Sequence, residues 1–118
     1  MKFHELKIKQ EYLDAVKSGI KPFEIRKNDR DFQVGDIVNF KVVHNDLVPT
    51  NMYSIRDLQE KGFTVVERND PSTYPMKSFE VTKADEDVYQ ITYVLKDVPQ
   101  YGLHKDYCIF GLKKLEAK

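Results

Sequence analysis

The first residues alternate. His4, Leu6 and Ile8 fall on one side of an extended segment over residues 2–9, and Phe3, Glu5, Lys7 and Lys9 on the other. That two-residue period predicts a strand with one buried face. The less charged side is the expected core face, which carries His4 inward or to the rim of a cavity. From residue 10 to 18 the period lengthens. Tyr12, Leu13 and Val16 recur at helical spacing, with Ala15 between them. Lys17 stands in the last turn, where a cation suits the helix dipole, and Gly19 supplies a left-handed stop. Alternation resumes over 21–27, with Phe23 and Ile25 as the expected core face and Glu24 and Arg26 on the other. Pro22 marks a strand entry or an edge, because it has no amide hydrogen to give a ladder. A polar loop over 28–31 and the turn Val34-Gly35-Asp36 lead to a strand over 37–43, with Val38, Phe40 and Val42 on one face.

The pattern then weakens. Loop chemistry at 45–46 and 49–51 precedes a short helix that Ser54 is placed to cap, carrying Ile55 and Leu58 and ending before Gly62. A strand over 63–67 and a surface loop over 68–78 follow. Residues 44–78 thus read as a variable insertion in a single domain spanning 1–118, too short to hold a core of their own. Strand patterns return at 79–82 and 88–95, separated by an acidic turn at Asp85-Glu86-Asp87. In the second of them Tyr89, Ile91, Tyr93 and Leu95 share a face. A loop over 97–106 and a last strand over 107–112 complete the chain. Many short strands and one clear helix predict an α+β, mainly β fold: a small mixed barrel with a short helix after its first strand and an inserted loop/helix segment.

Composition narrows the function classes. The 118 residues are 41% hydrophobic and 32% charged, with 19 basic and 19 acidic side chains and a formal net charge of zero. A protein gripping many phosphates ordinarily carries a basic surplus, so a nucleic-acid role here requires a local pocket. The stretch from Lys17 to Asp36 is the densest in charge, with five basic and four acidic residues. No apolar run is long enough for a transmembrane helix, and the N-terminal residues lack the apolar core of a signal peptide. Cys108 is the only cysteine, which excludes an intrachain disulfide and fits a reducing cytoplasm. No glycine-rich phosphate loop follows a strand. Three scattered histidines give no metal-ligand spacing, so neither a cofactor nor a metal is expected.

The octapeptide Gly19-Ile20-Lys21-Pro22-Phe23-Glu24-Ile25-Arg26 resembles the G-x-K-x-x-E-x-R signature of the ASCH family, within the PUA-like superfamily. The N-terminal strand, the segment from Arg26 to Asp36 and the C-terminal segment Tyr101-Gly102-Leu103 with residues 107–112 resemble more closely a group of small bacterial and phage proteins. That group is a domain family of unknown function placed beside ASCH. The resemblance covers residues 2–43 and 88–112 and leaves out the insertion. It implies a PUA-like β-barrel with a cleft beside the signature strand, and RNA or nucleotide ligands. Some ASCH proteins hydrolyse the amide of N4-acylated cytidines with a lysine, a threonine hydroxyl and a carboxylate. Lys21 matches that lysine, Glu24 stands where the threonine would, and the carboxylate has no assigned counterpart.

The candidates divide accordingly. Lys21, Glu24 and Arg26 form the expected ligand-binding set, Glu24 accepting from a base edge or ribose and Arg26 holding a phosphate. Lys21 is the catalytic residue if the protein is an enzyme. The ordinary alternative for Glu24 and Arg26 is an exposed ion pair worth under ~1 kcal/mol. His4 joins the set as a possible acid or base, if a carboxylate partners it; a hydrogen-bonded core histidine is the commoner outcome. Tyr101 is a candidate stacking platform, whereas Tyr93 is assigned to packing and Cys108 to the core. The leading expectation is an RNA- or nucleotide-binding module. The alternatives are an amidohydrolase acting on modified cytidine nucleosides and a non-catalytic protein-interaction module.

Overall fold

A computed structural model describes residues 1–47, 49, 51–69, 71–72 and 77–116. Eight elements carry the fold: strand β1 (Phe3–Ile8), helix α1 (Gln10–Lys17), strands β2 (Phe23–Lys27) and β3 (Ile37–Val43), helix α2 (Met52–Glu60), and strands β4 (Thr64–Asn69), β5 (Lys77–Leu95) and β6 (Tyr107–Lys114). The strands form one mixed sheet in the order β1-β3-β5-β6-β2, with β4 pairing β5 off that path. Only β1 and β3 run parallel; the other pairs described are antiparallel. The architecture is therefore α+β and mainly β, as the pattern predicts. The sheet is not closed, because β1 and β2 are its two ends.

The N-terminal elements follow their sequence signals closely. His4, Leu6 and Ile8 are buried while the intervening side chains are exposed. Leu13 and Val16 turn α1 onto the sheet, and Gly19 adopts φ +80° just past the C-cap residue Ser18. Gly35 (φ +93°) makes the turn before β3, whose Val38, Phe40 and Val42 are buried. With Phe32, Ile91, Cys108 and Phe110 these residues form one core cluster. Phe32, just past the polar loop over 28–31, packs its ring against Phe110 with centroids 4.8 Å apart.

Four local expectations are corrected. In β2 the faces are inverted: Glu24 is 4% exposed and Ile25 is 50% exposed. Register explains it, since Glu24 lies opposite the core residue Phe110, which puts Phe23 and Ile25 on the outer side. The acidic stretch Asp85-Glu86-Asp87 is a bulge inside the 19-residue β5, not a turn between two strands. Asn39 pairs with Val88 and Lys41 with Ala84, so three residues oppose Phe40 alone. The Asn39 amide ties the bulge down by donating to the carbonyls of Asp85 and Asp87 at 3.0 and 3.1 Å. A second irregularity sets Thr92 and Tyr93 opposite Gly111. It reverses the alternation, so Val94 packs on the core while Tyr93 and Leu95 are exposed. The Tyr93 ring lies across Gly111, where a Cβ would stand 2.2 Å from Tyr93 Cε1.

The fourth correction falls in the middle of the chain. The cap of α2 is Asn51, whose side chain accepts from the Ser54 amide; Ser54 itself is inside the helix. Residues 68–69 and 77–78, expected in a loop, pair as the ends of β4 and β5. The rest of that expected loop lies largely outside the described residues. Helix α2 contributes no buried side chain. The radius of gyration is 16.8 Å, above the roughly 13.5 Å of a compact domain of this length.

Candidate functional site

Pro22 holds Lys21 outside the ladder. The Lys21 amide donates to the Ala15 carbonyl at the end of α1, and the Pro22 carbonyl accepts from the Leu112 amide. The strand proper starts one residue later, and Lys21 is freed from its alternation. Its ammonium reaches Glu24 Oε1 at 2.9 Å, while Arg26 Nε reaches the other oxygen, Oε2, at 2.8 Å. A carboxylate this deeply buried requires paired charge, and here each oxygen has its own cation. The cations remain about a quarter exposed. Glu24 is thus a fixed anionic anchor beneath two ordered cations.

Arg26 also spans the open edge of the sheet. Its Nη2 donates to the Lys7 carbonyl at 2.7 Å, and Arg30 Nη1 donates to the Glu5 carbonyl at 2.8 Å. Lys7 and Glu5 are two residues apart, so both carbonyls leave the same edge of β1. The two guanidinium groups take up acceptors that a neighbouring strand would otherwise satisfy.

Between β1, α1 and β2 opens a cleft of about 380 Å³ lined by Lys7, Lys9, Tyr12, Lys21, Glu24 and Arg26, with Ile8 and Ile25. It gathers four cations and one carboxylate in a chain whose net charge is zero. Lys7 is partly committed to Glu80, at 2.6 Å. The Tyr12 ring is 48% exposed, and the Lys21 ammonium lies 5.3 Å from its centroid, within cation–π range. Tyr12 belongs to the site although helical spacing assigns it to the core. The clue available in the sequence was its place about two turns before the stop at Gly19.

His4 is drawn into a separate pair. Its Nε2 lies 2.9 Å from Asp36 Oδ2, and both groups are buried. Asp36 also accepts from the backbone amides of Lys2 and Gln33. Burial alone would raise the Asp36 carboxyl, but the bonds from His4, Lys2 and Gln33 outweigh it and hold the group below the usual range. The His4 ring packs on Phe32, centroids 4.7 Å apart. The dyad staples the start of β1 to the turn before β3.

Residues 3–112 match the family model described as a domain of unknown function, DUF3850. The chain belongs to the DUF3850 family. No curated protein matches it.

In this DUF3850 chain the structure brings Lys21, Glu24 and Arg26 together and leaves the other two candidates elsewhere. His4 and Tyr101 are not among the residues lining the Lys21 cleft. Tyr101 ends the 3-10 turn Pro99–Tyr101 and is 80% exposed. Among the described residues no group of three or more His, Cys, Asp or Glu side chains is placed to hold a metal ion. Nor is any described helix long and apolar enough to cross a membrane.

Proposed function

We propose that the DUF3850 chain is an RNA- or nucleotide-binding module whose ligand occupies the Lys21–Glu24–Arg26 cleft. One observation carries the reading: the buried Glu24 carboxylate fixes two cations at the mouth of a cleft beside an exposed tyrosine. Fixed cations suit phosphate oxygens, which Arg26 can meet through a guanidinium already oriented by Glu24 and the Lys7 carbonyl. Tyr12 offers a face for one base. The cleft is short and the net charge is zero, which favours a mononucleotide or a short single strand over a duplex. The open sheet, with Arg26 and Arg30 bridging its ends, is compatible with a PUA-like barrel of ASCH type.

The amidohydrolase reading has less behind it. Glu24 stands where that chemistry places a hydroxyl, and its carboxylate engages the Lys21 ammonium directly. Titration of a labelled short single-stranded RNA and of a mononucleotide across a salt series tests the proposal. Lys21→Ala with Arg26→Ala is expected to lower the salt slope by about 1.4, near 0.7 per lost phosphate contact, and Tyr12→Ala to weaken binding about tenfold. Affinity that survives all three changes refutes the cleft. Turnover of N4-acetylcytidine that depends on Lys21 would replace binding with catalysis.

A further inference from the structure

The outer face of the sheet carries an apolar patch where β2, β6 and the end of β5 run side by side. Ile25 lies opposite Ile109, and Ile109 opposite Leu95, so these three side chains form a row across three strands. Two residues back along β2, Phe23 lies opposite Gly111, and the Tyr93 ring lies across that glycine. Tyr107 continues the face two residues before Ile109. Ile25 and Tyr93 are 50% exposed, Leu95 42% and Tyr107 41%, while Phe23 and Ile109 are half-buried. None of the six positions holds a charged side chain. Register put them here. The burial of Glu24 turns Phe23 and Ile25 outward, and the irregularity at Thr92 and Tyr93 does the same for Tyr93 and Leu95.

Apolar side chains scattered singly over a surface are ordinary, but a contiguous group of this size marks a contact. A half-exposed tyrosine presents about 100 Å², so the six side chains together present roughly 400 Å². Protein interfaces are about 60% apolar. With a polar rim in that proportion each partner buries about 650 Å², or about 1,300 Å² in all, within the roughly 1,200–2,000 Å² of stable associations. Two features choose the occupant. The aliphatic row of Ile25, Ile109 and Leu95 suits another apolar face better than it suits bases, which stack on aromatic rings. The formal net charge of zero removes long-range repulsion between identical chains. We propose that the chain forms a two-fold dimer in which this face of one sheet stacks on the same face of a second copy. The dimer is independent of ligand binding in the Lys21 cleft.

Sedimentation velocity of the full chain from about 1 µM to about 500 µM tests the proposal. A monomer–dimer transition is expected, with half-dissociation of the order of 10 µM, and raising the salt is expected not to loosen it, because the contact is apolar. Leu95→Glu and Ile25→Lys each place an unpaired charge in the contact. Both are expected to abolish the dimer and to leave the melting temperature of the dilute monomer unchanged, since both positions are exposed. Ile20→Lys, 83% exposed and outside the patch, is expected to dimerise like the parent. A parent that is monomeric throughout overturns the proposal, as does a dimer that survives both patch substitutions. Should those variants fail to fold, amide NMR of the parent decides: concentration-dependent shifts at Ile25, Leu95 and Ile109 support the dimer, and shifts confined to other surfaces overturn it. A short single-stranded RNA that shifts Tyr93 and Tyr107 in a monomeric parent makes this a nucleic-acid face and likewise overturns the dimer.

Discussion

Glu24→Gln is the most informative single change in this chain. The carboxylate is almost wholly buried, and each oxygen bonds one cation, at 2.9 and 2.8 Å. Glutamine keeps the shape, but its amide group turns a donor toward one of two donors. Breaking a fully buried pair from one side costs about 3–5 kcal/mol. Here the remaining charges are about a quarter exposed and can relax into water, so the expected loss is about 2–3 kcal/mol. For a chain of this length that lowers the melting temperature by roughly 8–12 °C. Urea unfolding with an unchanged m-value would confirm that the native state, not the denatured state, has altered. A cycle with Arg26→Met should reveal coupling of about 1 kcal/mol or more. The apolar triple Lys21→Met, Glu24→Leu, Arg26→Met should recover most of the lost stability while abolishing ligand binding. A Glu24→Gln chain as stable as the parent would refute the reasoning, because it would mean that the carboxylate is neither buried nor needed by its cations.

Three further outcomes follow from other contacts. Lys17→Met should cost about 1–2 kcal/mol in a denaturant titration; the hydrogen bonds it donates to Asp85 and Asp87 hold the Lys17 ammonium above the usual lysine range against the opposing effect of burial, and the change leaves Asp85 without this cation and Asp87 with Lys114 alone. Gly111→Ala should destabilise by about 1–3 kcal/mol, and Tyr93→Ser in the same chain should relieve most of it, because the Tyr93 ring occupies the space of the new methyl. The Asp36 carboxyl is lowered in the folded state, so its contribution is present above the unfolded value near ~3.9 and is lost as pH falls through the folded value. The stability gap between the parent and Asp36→Asn should therefore shrink as pH falls below about 4; a gap that widens below about pH 4 would contradict the assignment.

Much of the fold is legible in local pattern. The alternation of β1 and β3, the helical spacing of α1 and the left-handed stop at Gly19 each rest on interactions within a few residues, so the sequence alone determines them. The resemblance of residues 19–26 to a known signature likewise singled out Lys21, Glu24 and Arg26 as a set. Their geometry was not legible. Either face of Phe23-Glu24-Ile25-Arg26 can be the buried one in a two-residue period, and apolar content argues for the wrong one. Pairing opposite Phe110 and the arrival of Lys21 from outside the ladder decide the matter, because a carboxylate can be buried only where cations converge on it. The same holds for Asp85-Glu86-Asp87, which looks like a solvated turn until Lys17, about seventy residues earlier, neutralises it. His4 needed Asp36, and the open end of the sheet needed Arg26 and Arg30. Short-range periodicity thus determined the elements. Partners distant in the chain, which alone set the cost of burying charge, decided which faces turned inward and where the clefts opened.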